Sequence, residues 1–159
     1  MALHPTIKDE VTALKRERTV EAAAQLFYDR GYEKTTLEAV ADSLGVTKPF
    51  IYGQFKSKAE LLADICTRGV SASLVAIDAA LALDTTPTQQ LRRLSRDFLL
   101  AVLDNQRNIA ILTREEKNLE EQDFERLSAL RREFDRAGIM ATPRKRPAAA
   151  GVALLGGGE

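Results

Sequence analysis

The stretch Thr35-Thr-Leu-Glu-Ala-Val-Ala-Asp-Ser-Leu-Gly-Val-Thr-Lys-Pro-Phe-Ile-Tyr-Gly-Gln-Phe-Lys-Ser-Lys58 decides the fold. It reads as two short helices joined by a tight turn at Gly45. That layout is a helix-turn-helix, whose second helix can enter the major groove of DNA. Leu37, Val40, Ala41 and Leu44 recur at helical spacing and give the first helix one apolar face. Thr35 with Glu38 forms the pattern of a capping box at its start. Gly45 follows the last apolar residue, where a left-handed backbone ends a helix without a Cβ clash. Val46 and Ile51 are predicted to point back into the core. Thr47 can cap the second helix, and Pro49 fits its first turn, where a missing N–H costs nothing.

Those assignments leave Thr47, Lys48, Phe50, Tyr52 and Gln54 for the outer surface of the second helix and its end. Residues 43–59 hold Lys48, Lys56 and Lys58 and no acidic residue. Ser57 and Glu60 make another capping-box pattern, so a further helix starts there and Lys58 sits at its N-terminus, a natural phosphate site. A bland reading stands beside this one, because any small three-helix domain needs caps, turns and an apolar face. Phe55 reads as a core aromatic, and Lys56 as a solvated charge.

Upstream, Val20-Glu-Ala-Ala-Ala-Gln-Leu-Phe-Tyr-Asp-Arg-Gly-Tyr-Glu-Lys-Thr-Thr36 extends the pattern. Ala23, Leu26-Phe27, Gly31-Tyr32, Thr35-Thr36, Ala41, Gly45-Val46, Lys48, Ile51-Tyr52, Phe55, Ser57-Lys58 and Leu61 together resemble the DNA-binding domain of the TetR family of transcriptional regulators. The resemblance runs from about Val20 to Leu62. It implies that Thr36 contacts a phosphate, that Thr47, Lys48 and Phe50 face base edges or the groove wall, that Tyr52 reaches the DNA backbone and that Lys58 binds a phosphate. Gly53 and Gln54 depart from the larger residue and the His or Tyr often found there. A Gln can still donate to a phosphate or pair with adenine.

The chain has 159 residues, with Lys plus Arg and Asp plus Glu equal at 23 each. Zero net charge argues against a protein that coats nucleic acid by bulk electrostatics, and points to few phosphate contacts per subunit. One cysteine, Cys66, rules out an internal disulfide and reads as a small buried hydrophobe. One histidine, His4, leaves no His-based metal site or catalytic base. With no nucleophile–His pair and no Gly-rich phosphate loop, enzyme chemistry has no support, and no cofactor or metal is expected. No apolar run long enough for a membrane span and no signal-peptide pattern is present, so a cytoplasmic protein without membrane partners is expected.

Helical periodicity continues through the chain without strand-like alternation, so the expected fold is all-α. An opening helix runs from about Asp9 to Arg30, and a long helix from about Lys58 to Leu83. Thr86-Pro87 with Gln89 is a capping box with proline at the first helical position. The helix it starts, to about Asn105, carries Leu91, Leu94, Phe98, Leu99 and Val102 on one face. Ile109, Ile111 and Leu112 form a short apolar segment, followed by the charged exit from Arg114 to Lys117. A last helix spans about Glu120 to Arg136 with Phe124, Leu127, Leu130 and Phe134.

The resulting organisation is a three-helix DNA-binding head, residues 1–57 with the helix-turn-helix at about 35–54, joined by the long helix to a helical regulatory domain, 58–138. The resemblance implies that this second part is a ligand-binding and dimerisation bundle. Phe98, Val102, Ile109, Leu112, Phe124 and Leu127 could then line a cavity for a small lipophilic effector, acyl-CoA-like in kind, with Arg114 orienting it. Packed core is the competing reading for each apolar residue, and solvation of a helix end for Arg114. After Gly138 the sequence turns rich in Pro, Gly and Ala, which predicts a flexible tail over 139–159. Family members are usually longer, so a truncated or shifted reading frame and an incomplete bundle are expected. The resemblance implies a homodimer on a palindromic operator, which the tail puts in doubt. Two function classes follow: a ligand-responsive repressor, or a module that no longer dimerises and only binds a ligand or protein partner.

Overall fold

The computed structural model describes residues 6–136, and every element in that range is helical. The elements are α1 (Ile7–Arg30), α2 (Leu37–Leu44), α3 (Lys48–Tyr52), α4 (Lys58–Leu81), α5 (Pro87–Asp104), α6 (Gln106–Glu115), a 3-10 turn (Glu116–Asn118) and α7 (Glu121–Arg136). The predicted tail and His4 lie outside the described residues.

In α1, Val20, Ala23, Ala24 and Phe27 form the expected apolar stripe and are buried. Phe27 meets Tyr32 edge-to-face, with ring centroids 5.2 Å apart. Ile51 and Phe55 come in from the other side and are fully buried. Burying a side chain of this size contributes roughly 1.5–3 kcal/mol, so these aromatic and aliphatic groups dominate the stability of the head.

Two caps differ from expectation. Thr35 does not start α2; it is buried, and its hydroxyl donates back to the Gly31 carbonyl at 2.9 Å. Thr36 is the N-cap instead, its Oγ1 accepting from the Ala39 N–H at 3.1 Å. The reason is the loop after α1: Gly31 takes φ 86° there, and the Thr35 hydroxyl closes the turn. At Ser57, Oγ accepts from the Glu60 N–H at 3.0 Å, but the Glu60 carboxylate reaches the Lys56 N–H at 2.7 Å rather than closing the box on Ser57. The cap of α5 is as predicted, with the Thr86 and Gln89 arms both in place.

Gly45 adopts φ 63°, so α2 ends in the left-handed conformation that the sequence calls for. Its N–H donates to the Asp42 carbonyl at 3.1 Å, and the Val46 N–H to Ala41 at 3.0 Å. Thr47 occupies the N-cap position of α3 but makes no side-chain cap bond.

One buried cluster runs from the head into the second half of the chain. It joins Val20, Phe27, Ile51 and Phe55 to Ile65, Cys66, Ile111, Leu112 and Leu127. The segment read as a short apolar stretch is therefore a full helix, α6, docked across α1 and α4. Gly69 allows the close approach: a Cβ there would stand 3.3 Å from Ile109 Cγ1. By contrast α5 buries none of its residues, and Leu91 and Leu99 stay 62% and 57% exposed. Among the described residues α5 is covered mainly on the side facing α4, with Phe98 set against Phe134 of α7 at 5.7 Å. Its apolar side is wider than the surface it meets.

Candidate nucleic-acid interface

The segment of α3 is fixed by ties to α1 and α4 that leave Thr47 and Tyr52 exposed. Arg16 of α1 donates to the Gln54 carbonyl at 3.0 Å, pairs with Asp64 of α4 at 2.9 Å, and lies over the Phe55 ring at 4.1 Å. Asp64 also holds Arg68, which reaches Glu17 of α1. This chain of charges anchors the end of α3 to both long helices. Arg16 carries no signal in the sequence, because its partners lie 38 and 48 residues away.

Thr36, Thr47, Lys48 and Tyr52 are exposed, and Tyr52 keeps 48% of its surface open. Lys48 projects beside α2, where its Nζ stands 3.1 Å from Glu38 Oε1. The Glu38 carboxyl is held below the usual carboxylate range, first by a bond from its own backbone N–H and then by the Lys48 ammonium. Phe50 is half-buried against the core, with the Lys15 ammonium 5.6 Å from its ring centroid.

Gln54 is not placed as the sequence suggested. Its Nε2 donates to the Phe50 carbonyl at 3.0 Å, and its Oε1 lies 3.4 Å from the Thr19 hydroxyl. The amide is turned towards α1 because α3 has ended at Tyr52 and its last carbonyls need donors. Lys58 is also engaged: its Nζ donates to the Tyr32 carbonyl at 2.9 Å and sits 4.1 Å over the Tyr32 ring. An ammonium has three donors, so this bond leaves two.

Thr36, Tyr52, Lys56 and Lys58 come together around a shallow cleft of about 310 Å³, together with Glu38 and Ser57. Hydroxyls, ammonium groups and the N-terminus of α4 around one concavity suit an oxyanion.

The residues expected to line an effector cavity are dispersed. Leu112 and Leu127 are buried in the shared core, which is the packed-core outcome. Ile109 covers Gly69. Arg114 donates from Nη2 to the Phe27 and Tyr28 carbonyls at 3.0 and 3.1 Å, so it serves a helix end. Val102 is half-buried and Phe124 is 43% exposed. The larger cleft, about 620 Å³, lies between α1 and the start of α6 and has none of the seven in its lining. Among the described residues no His, Cys, Asp or Glu cluster could hold a metal, and no helix is long and apolar enough to cross a membrane.

Comparison with known proteins bears on the family and the fold. The model of bacterial regulatory proteins of the tetR family matches residues 20–65, and that of the tetracyclin repressor-like C-terminal domain matches 84–139. The transcriptional activator FasR of Mycolicibacterium smegmatis is 36% identical over 78 residues, which are 49% of this chain and 36% of that protein. The regulator TtgR of Pseudomonas putida is 47% identical over 47 residues, 30% of this chain and 22% of that protein. The crystal structure of the TetR family regulator PfmR from Thermus thermophilus superposes with a TM-score of 0.68 at 28% identity, covering 76% of this chain and 65% of that one. The match thus spans about a third of the first of these curated relatives and less than a quarter of the second. Because the N-terminal and C-terminal parts match models of one family in the same order along one all-α fold, the chain belongs to the tetR family of bacterial regulatory proteins.

Proposed function

We propose that the protein is a DNA-binding transcriptional regulator, a repressor released from a palindromic operator by a small lipophilic effector. The observation that carries the reading is the cleft shared by Thr36, Tyr52 and Lys58, beside an exposed Thr47 and Lys48. A phosphate in the cleft would seat α3 against the groove. Thr47 and Lys48 then meet base edges, and Phe50 packs on the groove wall. Gln54 is left out of this set, because its amide serves the head.

Two heads of a dimer would sit in successive major grooves, about 34–36 Å apart. The effector acts by preferring a head spacing that no longer matches, with leverage on the order of 1–3 kcal/mol. Phe98, Val102 and Phe124 are the proposed contacts, on the side of α5 and α7 that the core leaves open. Movement of α6 would reach the head through Arg114, which bonds Phe27 and Tyr28.

The test is electrophoretic shift of duplexes carrying palindromes from the flanking DNA. Lys48→Ala and Tyr52→Ala should abolish the shift while circular dichroism stays unchanged. Normal binding by both variants removes this surface from the reading. Sedimentation in the same buffer separates a dimeric repressor from a monomeric ligand-binding module, since the monomer should give no shift.

A further inference from the structure

Glu38 stands in the first turn of α2 and Lys48 at the first position of α3, so their ion pair bridges the two helices of the helix-turn-helix. The side chains keep 40% and 63% of their surface open, and no third charged group is recorded on either. Glu38 is also the one carboxylate among the residues around the cleft. A negative charge there opposes every phosphate, whatever the sequence, and so weakens non-specific binding. An acid in the first turn favours the helix dipole, but that role does not require a position against Lys48.

The chemistry of base edges supplies a use for the pair. An ionised carboxylate only accepts, and among the major-groove edges cytosine offers a donor, N4–H, with no acceptor beside it. Guanine offers O6 and N7, both acceptors, which suit an ammonium. In a G·C pair O6 and N4 are hydrogen-bonded to each other, about 2.9 Å apart. The Glu38 Oε1 to Lys48 Nζ separation of 3.1 Å matches that spacing. We propose that the Glu38–Lys48 pair reads one G·C base pair as a unit, Lys48 donating to guanine and Glu38 accepting from cytosine N4. Neither ion loses its partner on docking; C·G and A·T put a donor against the ammonium and an acceptor against the carboxylate, and T·A, which matches at O4 and N6, presents a methyl where guanine presents N7 to Lys48.

The inference rests on the DNA-binding reading, and the experiment separates the two. Wild type, Glu38→Gln and Lys48→Gln are each used to select from a randomised duplex library, and affinities for a mixed-sequence duplex are measured over a salt series. Wild type should enrich a motif with a fixed G·C pair in each half-site. Glu38→Gln should weaken that preference by on the order of tenfold and favour adenine at the cytosine position, since Gln pairs with adenine N6 and N7. It should also tighten mixed-sequence binding and steepen the salt dependence by about one phosphate per subunit. Lys48→Gln should alter the same position. A wild type that enriches no motif defeats the DNA-binding reading and this inference with it. A wild-type motif that Glu38→Gln leaves unchanged overturns the inference alone, even where affinity rises. So does a result in which the two variants alter different positions.

Discussion

Arg114, in the last turn of α6, donates to the carbonyl of Phe27, in the last turn of α1. The same Phe27 oxygen accepts the Gly31 N–H at 3.0 Å, and Arg114 adds a bond to Tyr28 and lies 5.3 Å from its ring. A cation at a helix C-terminus meets the carbonyls of the last turn and the negative end of the dipole. Two helices far apart in the chain are fastened at one point.

Arg114→Ala should lower stability by about 1 kcal/mol, a modest figure because the side chain is solvent-exposed. Urea unfolding should show a lower midpoint with an unchanged slope. Hydrogen exchange should quicken at the amide of Gly31. Unchanged exchange at that amide would mean that the bond contributes nothing to the end of α1.

Leu127 on α7 is 1% exposed and belongs to the same buried cluster as Phe27. Leu127→Ala should cost about 3 kcal/mol, the middle of the range for a core leucine. If the cluster is one unit, the aromatic signal of the head and the total helical signal should still melt together. Separate transitions, with the head unaffected, would show two independent cores.

Gln54→Ala should cost about 1 kcal/mol through the lost bond to Phe50. The base preference of the protein should stay the same at every position of its selected motif. A changed preference would return Gln54 to the groove.

Burial pushes the Cys66 thiol from 9.0 up to about 12. Its thiol form is therefore favoured by folding. Between these values the unfolded chain holds fewer protons, so this group's contribution to stability is complete below pH 9. It falls by about 1.4 kcal/mol per pH unit as pH rises toward 12. Cys66→Ala should flatten that part of the stability profile. A maleimide should label Cys66 only in urea; rapid labelling of the native protein at pH 8 would contradict the buried thiol.

Much of the head was legible because its signals are local. Gly45 needs a left-handed backbone, and the Leu37–Val40–Ala41 spacing needs a buried side, so both follow from a few neighbouring residues. The N-cap missed by one place, Thr35 for Thr36, since either threonine satisfies the local rule and only the turn at Gly31 chooses between them. Periodicity placed α5 correctly yet overstated its burial, because an apolar stripe records what a helix can cover and not what lies opposite it.

The sequence by itself determined the all-α elements, the turn at Gly45 and the residue types exposed along α3, because helix periods, caps and glycine conformations act within a turn or two of chain. Only the tertiary structure decided that Gln54 turns inward, that Arg16 and Asp64 anchor α3, that Glu38 meets Lys48 and that Arg114 ends α1. Those outcomes depend on which helix faces cross, and crossing is set by the packing of side chains far apart in the chain.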